Sequence, residues 1–283
     1  MEIIRTVKNL IEYCDKARSE QKTIGLVPTM GALHAGHISL VDRARKENDI
    51  VIVSVFVNPT QFNNPNDLKT YPRTETSDCE KLIASNVDVA FIPSTEEIYP
   101  EPDNRVFDLG KVAEVMEGAM RPGHFNGVAQ IVSKLFAMTR PIRAYFGEKD
   151  FQQIAVIRRM IEIEGFDIDI VDCPIMREDD GLAMSSRNVR LNSTQRAIAP
   201  NIHKALINSI EFAKSNTLES TRKFVVNQIN SFTEMDVEYY EIVDPTTMQP
   251  LKSWDEATEG KAVGCITVFL GDVRLIDNIK YGY

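Results

Sequence analysis

The chain of 283 residues is 43% hydrophobic and 26% charged, with no tract rich in glycine or proline, which excludes a disordered chain and leaves room for one or two globular domains. Its 32 basic and 41 acidic side chains leave a net charge of -9, a field that disfavours nonspecific nucleic-acid or anionic-membrane binding, although a local Arg or Lys cluster can still hold phosphate. Cys14, Cys79, Cys173 and Cys265 are scattered with no CxxC pair, the first residues lack a basic-then-apolar leader, and no apolar run is long enough to cross a bilayer, so reduced cysteines and a cytoplasmic address are expected.

Residues 23–27 are a short apolar run that Pro28 ends, and residues 38–46 then carry Ile38, Val41 and Ala44 with charge between them, which predicts strand, tight loop, helix. The loop between, Pro28-Thr29-Met30-Gly31-Ala32-Leu33-His34-Ala35-Gly36-His37, holds two of the chain's four histidines, three positions apart, with Gly31 and Gly36 permitting close backbone approach. A helix N-terminus offers unpaired N–H groups to phosphate oxygens, and imidazoles add further donors without forcing a full charge into the site. A polyphosphate is the expected guest. The pattern is neither a P-loop nor a GxGxxG fingerprint, and no third clustered ligand follows to make the histidines a metal pair.

Residues 50–57 are nearly all β-branched, the mark of a strand covered on both faces, and Asn58-Pro59 stops them. Asn58 and Gln61, in Phe56-Val57-Asn58-Pro59-Thr60-Gln61-Phe62, thus stand beyond the carboxyl end of a strand, where open α/β sheets bind ligands and neutral amides read a small polar molecule. Thr74 or Ser77 caps a predicted helix carrying Leu82 and Ile83, and a strand over 88–92 stops at Pro93. Arg121-Pro122-Gly123-His124-Phe125-Asn126-Gly127 is a polar loop before a helix over 126–138. A strand over 142–146 leads into Gly147-Glu148-Lys149-Asp150-Phe151-Gln152-Gln153, where Lys149 is placed for phosphate, Asp150 for a ribose hydroxyl or a cap, and Gln153 for a polar substrate. A helix over 150–161 and a strand over 166–171 follow. This alternation predicts the α/β class, a Rossmann-like doubly wound parallel sheet over residues 1–175.

Beyond Cys173-Pro174 the texture changes. A polar connector, Arg177-Glu178-Asp179-Asp180-Gly181, leads to Met184-Ser185-Ser186-Arg187-Asn188, whose hydroxyls and guanidinium suit a loop that closes on outer phosphates and excludes water. One long helix over 194–214, a second over 217–229, and strands over 237–243, 261–270 and 273–276 predict a smaller α+β domain over residues 176–283.

Together these segments resemble the pantothenate synthetase, or pantoate-beta-alanine ligase, family. Met30 to His37 is similar to its nucleotide signature, related to the HIGH motif of the nucleotidyltransferase superfamily, and Met184-Ser185-Ser186-Arg187 is similar to its KMSKS counterpart. The segments at 56–62, Tyr71-Pro72-Arg73-Thr74, 121–125 and 147–153 match in order and spacing. The resemblance implies that pantoate attacks the α-phosphate of ATP to give pantoyl adenylate and pyrophosphate, after which beta-alanine attacks the activated carbonyl to give pantothenate and AMP. It implies that Met30, Gly31, His34, His37, Gly147, Lys149, Asp150, Met184, Ser185, Ser186 and Arg187 contact or enclose ATP under the closing C-terminal domain. Gln61 and Gln153 then hold pantoate, with Asn58 in support. His34, His37, Lys149, Ser185, Ser186 and Arg187 form the catalytic set, acting by charge and position with no covalent nucleophile. Mg2+ held mainly by phosphates and water, and a homodimer, are also implied. No protein metal ligand is assigned: where family members carry a run of acids, this chain reads Glu75-Thr76-Ser77-Asp78, with Asp78 the nearest candidate. His203 reads as a surface or structural residue. A cytidylyltransferase-like enzyme acting on a phosphorylated small molecule is the leading alternative, a tRNA-synthetase fragment or RNA-binding module a second, and a noncatalytic nucleotide sensor a third; the acidic balance opposes RNA.

Overall fold

A computed structural model describes residues 1–282. In chain order the elements are β1 (Glu2–Ile4), α1 (Val7–Ser19), β2 (Ile24–Thr29), α2 (Ala35–Glu47), β3 (Ile50–Val55), α3 (Pro65–Thr70), α4 (Glu75–Ala84), β4 (Val89–Phe91), α5 (Thr95–Ile98), α6 (Glu117–Met120), α7 (His124–Thr139), β5 (Arg143–Gly147), α8 (Phe151–Glu164) and β6 (Asp169–Cys173). Then come α9 (Ser193–Ile198), α10 (Asn201–Ala213), α11 (Leu218–Asn230), β7 (Met235–Val243), β8 (Lys261–Leu270) and β9 (Val273–Gly282).

The first six strands form one parallel sheet in the order β1-β4-β3-β2-β5-β6. Successive side chains of a strand point to opposite faces, and both faces here are covered. Ile24, Leu26, Ile50 and Ile52 pack with α1, α7 and α8, whereas Val27, Val51, Val53 and Val55 pack with α2 and α4. That explains why β3 is buried throughout and reads as a continuous apolar run. The order reverses at β2, whose neighbours are β3 on one side and β5 on the other, so the crevice beyond their carboxyl ends is the topological switch point where such sheets bind ligands.

The second sheet, β7-β8-β9, is antiparallel and has its own apolar cluster with α10 and α11. A small fourth cluster joins the two halves, with Met116 and Ala155 packed against Val243, Met248, Val263 and Cys265.

Three predicted elements are redrawn. The long helix over 194–214 is two, α9 and α10, broken at Pro200, which lacks the N–H a helix interior needs and crowds the preceding turn. The strand over 166–171 lies later, in β6, because Gly165 ends α8 at φ 68° and Phe166 stays in the connection, its ring edge-on to Phe136. The strand over 273–276 runs on to Gly282: Asp277 and Asn278, polar enough to read as an end, are both buried and partnered within it. Asp277 takes two hydrogen bonds from Arg177, and Asn278 Nδ2 donates to the carbonyls of Glu148 and Lys149. Among the described residues no cysteine is in a disulfide, and no helix is long and apolar enough to cross a membrane.

Candidate active site

The loop between β2 and α2 turns through Gly31 at φ 78° and Ala32 at φ 50°, a left-handed pair that lets the chain reverse into the helix. A side chain at Gly31 would stand 3.1 Å from an Asp78 carboxylate oxygen and from Val55, so Gly31 serves the turn, behind the cavity wall. Asp78, on α4 and 1% exposed, accepts hydrogen bonds from the N–H groups of Ala32 (2.9 Å) and Leu33 (2.7 Å) and from the Thr74 hydroxyl (3.1 Å). Its oxygens are therefore engaged in holding the loop. Among the described residues no group of three His, Cys, Asp or Glu side chains is placed to hold a metal.

His34 caps α2. Its Nδ1 accepts from Gly36 N (3.2 Å), while Nδ1 of His37 accepts from His34 N (3.2 Å), a reciprocal box that satisfies two unpaired helix donors. The rings lie 4.0 Å apart. A neutral imidazole that accepts at Nδ1 carries its proton on Nε2, so each ring retains one donor for a guest. Burial, reinforced by Lys149, holds His34 down at about 4. Burial, with His34 beside it, holds His37 at about 3. Both rings are neutral donors at physiological pH.

Four chain segments meet around one cavity. Met30, His34 and His37 line it from the loop; Asn58, Gln61 and Tyr71 from the segment after β3; Gly147, Lys149, Asp150 and Gln153 from the end of β5; and Met184, Ser185, Ser186 and Arg187 from the connector. Of the residues anticipated from sequence, Gly31 is the exception. Asn58, 1% exposed, is fully engaged: its amide donates to Gln61 Oε1 and to the Gly127 carbonyl, both at 3.1 Å, and its Oδ1 accepts from Tyr99 at 2.8 Å. The Gln61 amide nitrogen meets the Met30 sulfur at 3.1 Å. α7 seats against this turn so closely that a Cβ on Gly127 would lie 2.4 Å from the Thr60 carbonyl oxygen. His124 is not on the wall of this cavity: it is buried below the turn, and its Nδ1 donates to the Gln61 carbonyl at 2.8 Å.

The connector is tied to the loop it faces. The Ser186 hydroxyl donates to the Ala32 carbonyl at 3.0 Å, and Ser185 accepts from Arg187 N at 3.2 Å. Arg187 pairs with Asp67 of α3 at 2.8 Å and lies over the Tyr71 ring, and Arg190 reaches the same carboxylate at 3.2 Å. Burial is the largest single influence and raises the Asp67 carboxyl, but the Arg187 hydrogen bond together with the charges of Arg187, Arg190 and Arg121 outweighs it and leaves the group below its ordinary value. Lys149 lies 3.6 Å from Asp150, and its backbone carbonyl is held by Asn278 of β9, so the second sheet helps set the β5 end of the cavity. Asp67 and Asn278 were not singled out from sequence. Asp67 follows Asn63-Asn64-Pro65-Asn66, which reads as a solvated turn, and Asn278 is 129 residues from its partner.

The chain matches the family model described as Pantoate-beta-alanine ligase over residues 2–280. It is 58% identical to pantothenate synthetase of Porphyromonas gingivalis over 281 residues, 99% of each chain. It is 58% identical to that of Phocaeicola vulgatus over 282 residues, again 99% of each. The crystal structure of pantothenate synthetase from Thermus thermophilus superposes with a TM-score of 0.91 at 41% identity, covering 99% of both chains. The pantoate-beta-alanine ligase of Francisella tularensis, solved in complex with beta-gamma ATP and beta-alanine, superposes with a TM-score of 0.83 at 40% identity, covering 99% of this chain and 97% of that one.

Proposed function

Because the chain belongs to the pantoate-beta-alanine ligase family, whose members join pantoate to beta-alanine at the expense of ATP through an adenylate, we propose that this chain performs both steps in the cavity between β2, β3, β5 and the 184–187 connector. The cytidylyltransferase-like, RNA-binding and sensor readings fall with that membership. The observation that carries the assignment of roles is the His34 and His37 box: two neutral rings commit Nδ1 to the helix end and keep Nε2–H for the cavity.

ATP lies with its phosphates against His34, His37, Lys149, Ser185, Ser186 and Arg187, and with its nucleoside enclosed by Met30, Gly147, Asp150 and Met184; Gly31 acts by shaping the loop. Gln61 and Gln153 hold pantoate, and Asn58 holds Gln61. A pantoate carboxylate oxygen attacks the α-phosphorus, the bond to the bridging oxygen breaks, and pyrophosphate leaves. Charge moves onto the leaving group in that step, and preset donors that need no reorganisation stabilise it. Amides at Gln61 and Gln153 bind the carboxylate while leaving it nucleophilic, where an arginine clamp would blunt it. The beta-alanine amine then attacks the acyl carbon, AMP departs with the bridging oxygen, and the amine loses a proton.

Mg2+ accompanies ATP in this reading. The protein lacks a cluster of ligands for it among the described residues, so phosphate and water would form its shell and neutralise charge on the polyphosphate. Residues 1–175 form the nucleotide and pantoate domain and residues 176–283 a domain closing over ATP, a division supported by the separate apolar clusters. The family resemblance supports a homodimer, and the unbridged cysteines support a cytoplasmic address. The test is exchange of labelled pyrophosphate into ATP. It should require pantoate and not beta-alanine; exchange that ignores pantoate would overturn the proposal.

A further inference from the structure

Arg274, on β9, makes two hydrogen bonds to Glu117 of α6, at 2.8 and 2.6 Å, and Glu117 also accepts from Tyr239 (2.7 Å) and Thr267 (3.1 Å) of the second sheet. An interdomain clamp would be complete there. The contacts continue, however, on the other side of Glu117. Arg121 Nη1 lies 3.5 Å from Glu117 Oε2 and 3.3 Å from His124 Nε2, and His124 Nδ1 reaches the Gln61 carbonyl at 2.8 Å. A guanidinium only donates, so His124 Nε2 accepts and Nδ1 carries the proton that Gln61 receives. Each group in the row thereby fixes the role of the next.

The backbone around Glu117 is built to one position. Met116 sits at φ 47° and ψ -118°, a rarely populated conformation for a side-chain-bearing residue, and a Cβ on Gly118 would lie 1.8 Å from the Ala113 carbonyl oxygen. Gln152 holds the Glu117 N–H at 3.1 Å. Burial pulls the His124 ring down to about 4, with Arg121 adding to the effect, so the ring is neutral and the polarity of the row is constant through physiological pH. Arg121 and His124 also line a second, polar cleft shared with Lys149, Gln153 and Arg187, so the row runs beside the reaction site from one sheet to the other.

We infer that Glu117, Arg121 and His124 are positioning residues for pantoate, forming a hydrogen-bonded relay by which the seating of the second sheet, through Arg274, sets the backbone of Gln61. The inference rests on the reading that Gln61 holds pantoate. Asn58 fixes the Gln61 side chain, and His124 at 2.8 Å with Arg121 Nη2 at 3.5 Å fixes its carbonyl, so an undocked second sheet leaves the amide half restrained and pantoate less well held.

The experiment is pantoate-dependent pyrophosphate exchange on purified full-length variants, read as separate KM values for pantoate and ATP, with thermal unfolding measured alongside. His124→Phe keeps the ring and removes both of its hydrogen bonds, leaving the Gln61 carbonyl only the longer 3.5 Å contact from Arg121 Nη2; pantoate KM should rise several-fold, up to about tenfold, the scale of one buried hydrogen bond lost, with ATP KM changed by less than about twofold. His124→Asn restores an N–H near the Nδ1 position and should recover most of the loss. Arg121→Met interrupts the row while leaving Glu117 its Arg274, Tyr239 and Thr267 partners, so it tests the relay even where His124→Phe folds poorly. Arg274→Met should raise pantoate KM in the wild-type background and by clearly less in the His124→Phe background, where only the 3.5 Å contact of Arg121 Nη2 still links the row to the Gln61 carbonyl. Equal changes in both KM values, or full additivity of Arg274→Met with His124→Phe, would reduce the row to an interdomain clamp and overturn the inference. Gln61→Ala separates the two layers. If it raises pantoate KM while His124→Phe and Arg121→Met do not, only the relay fails; if it leaves pantoate KM unchanged, the pantoate assignment fails and the relay with it.

Discussion

Replacing Asp78 with Asn changes one atom and no shape, yet it strikes the loop that presents the histidines. One Asp78 oxygen accepts from Ala32 N; the other accepts from Leu33 N and Thr74. An amide keeps one acceptor and turns a donor toward the other partner, so one N–H of the loop faces an N–H inside the protein. Hydrogen bonds to a charged group contribute about 1.5–3 kcal/mol, and a buried donor left unpaired costs about 1–3 kcal/mol, so the loop should lose roughly 2–3 kcal/mol of ordering. If ATP binding must restore that order, its affinity falls by about thirty- to a hundredfold, at 1.4 kcal/mol per decade. The change also removes a negative charge near a polyanion, which alone would tighten ATP binding, so the two effects have opposite signs and the assay discriminates between them. The measurements are ATP KM in pyrophosphate exchange and amide hydrogen exchange over residues 30–38. ATP KM should rise, exchange in that segment should quicken, and pantoate KM should stay unchanged. An unchanged or lower ATP KM with normal protection would refute it.

Nitrogen NMR of labelled histidines should find His34 and His37 protonated at Nε2 and His124 at Nδ1, and a reversed assignment for either site would contradict the hydrogen-bond roles. Because the folded His34 and His37 values, about 4 and about 3, lie below the ordinary 6.5, the unfolded chain binds more protons in acid. Their contribution to stability is complete above about 6.5 and is lost as pH falls toward 4 and then 3, so thermal stability should decline through that window. Mutation of His37 to Gln should flatten the decline, and an unchanged slope would remove the histidines from it. Gly127→Ala should separate α7 from the turn at Thr60, lowering unfolding stability by about 2 kcal/mol and raising pantoate KM, on the scale of overpacking in a close-packed site; differential scanning fluorimetry and exchange kinetics check both. Asp67→Asn frees Arg187 and Arg190 from a carboxylate that competes with phosphate, so ATP KM should fall by a few-fold, about 1 kcal/mol for a partly exposed pair; a rise would show that Asp67 orients Arg187 productively.

The parallel sheet was legible because both faces of β2 and β3 are covered, and short apolar runs followed at once by loop residues have few other solutions; β2 runs through Pro28 to Thr29, one residue past the proline that reads as its end. The break at Pro200 was also in plain view, but the apolar spacing on either side carries on as if one helix continued. Among the anticipated site residues, short motifs at strand ends and in the 184–187 connector placed all but Gly31 on one cavity. What sequence did not reveal is how those residues are held. Which ring nitrogen of His34 faces the helix depends on the torsion of the loop, and the occupation of Asp78 depends on α4 lying beneath that loop. Glu117 drew no notice because its partners Tyr239, Thr267 and Arg274 lie more than a hundred residues away, on the other sheet.

Direct attack of pantoate on the α-phosphate is tested by oxygen transfer without reference to any variant. Pantoate labelled with 18O in its carboxylate, turned over with ATP, Mg2+ and unlabelled beta-alanine, should yield AMP carrying one 18O and pantothenate that has lost one. Label recovered in inorganic phosphate together with ADP, or AMP without label, would contradict it.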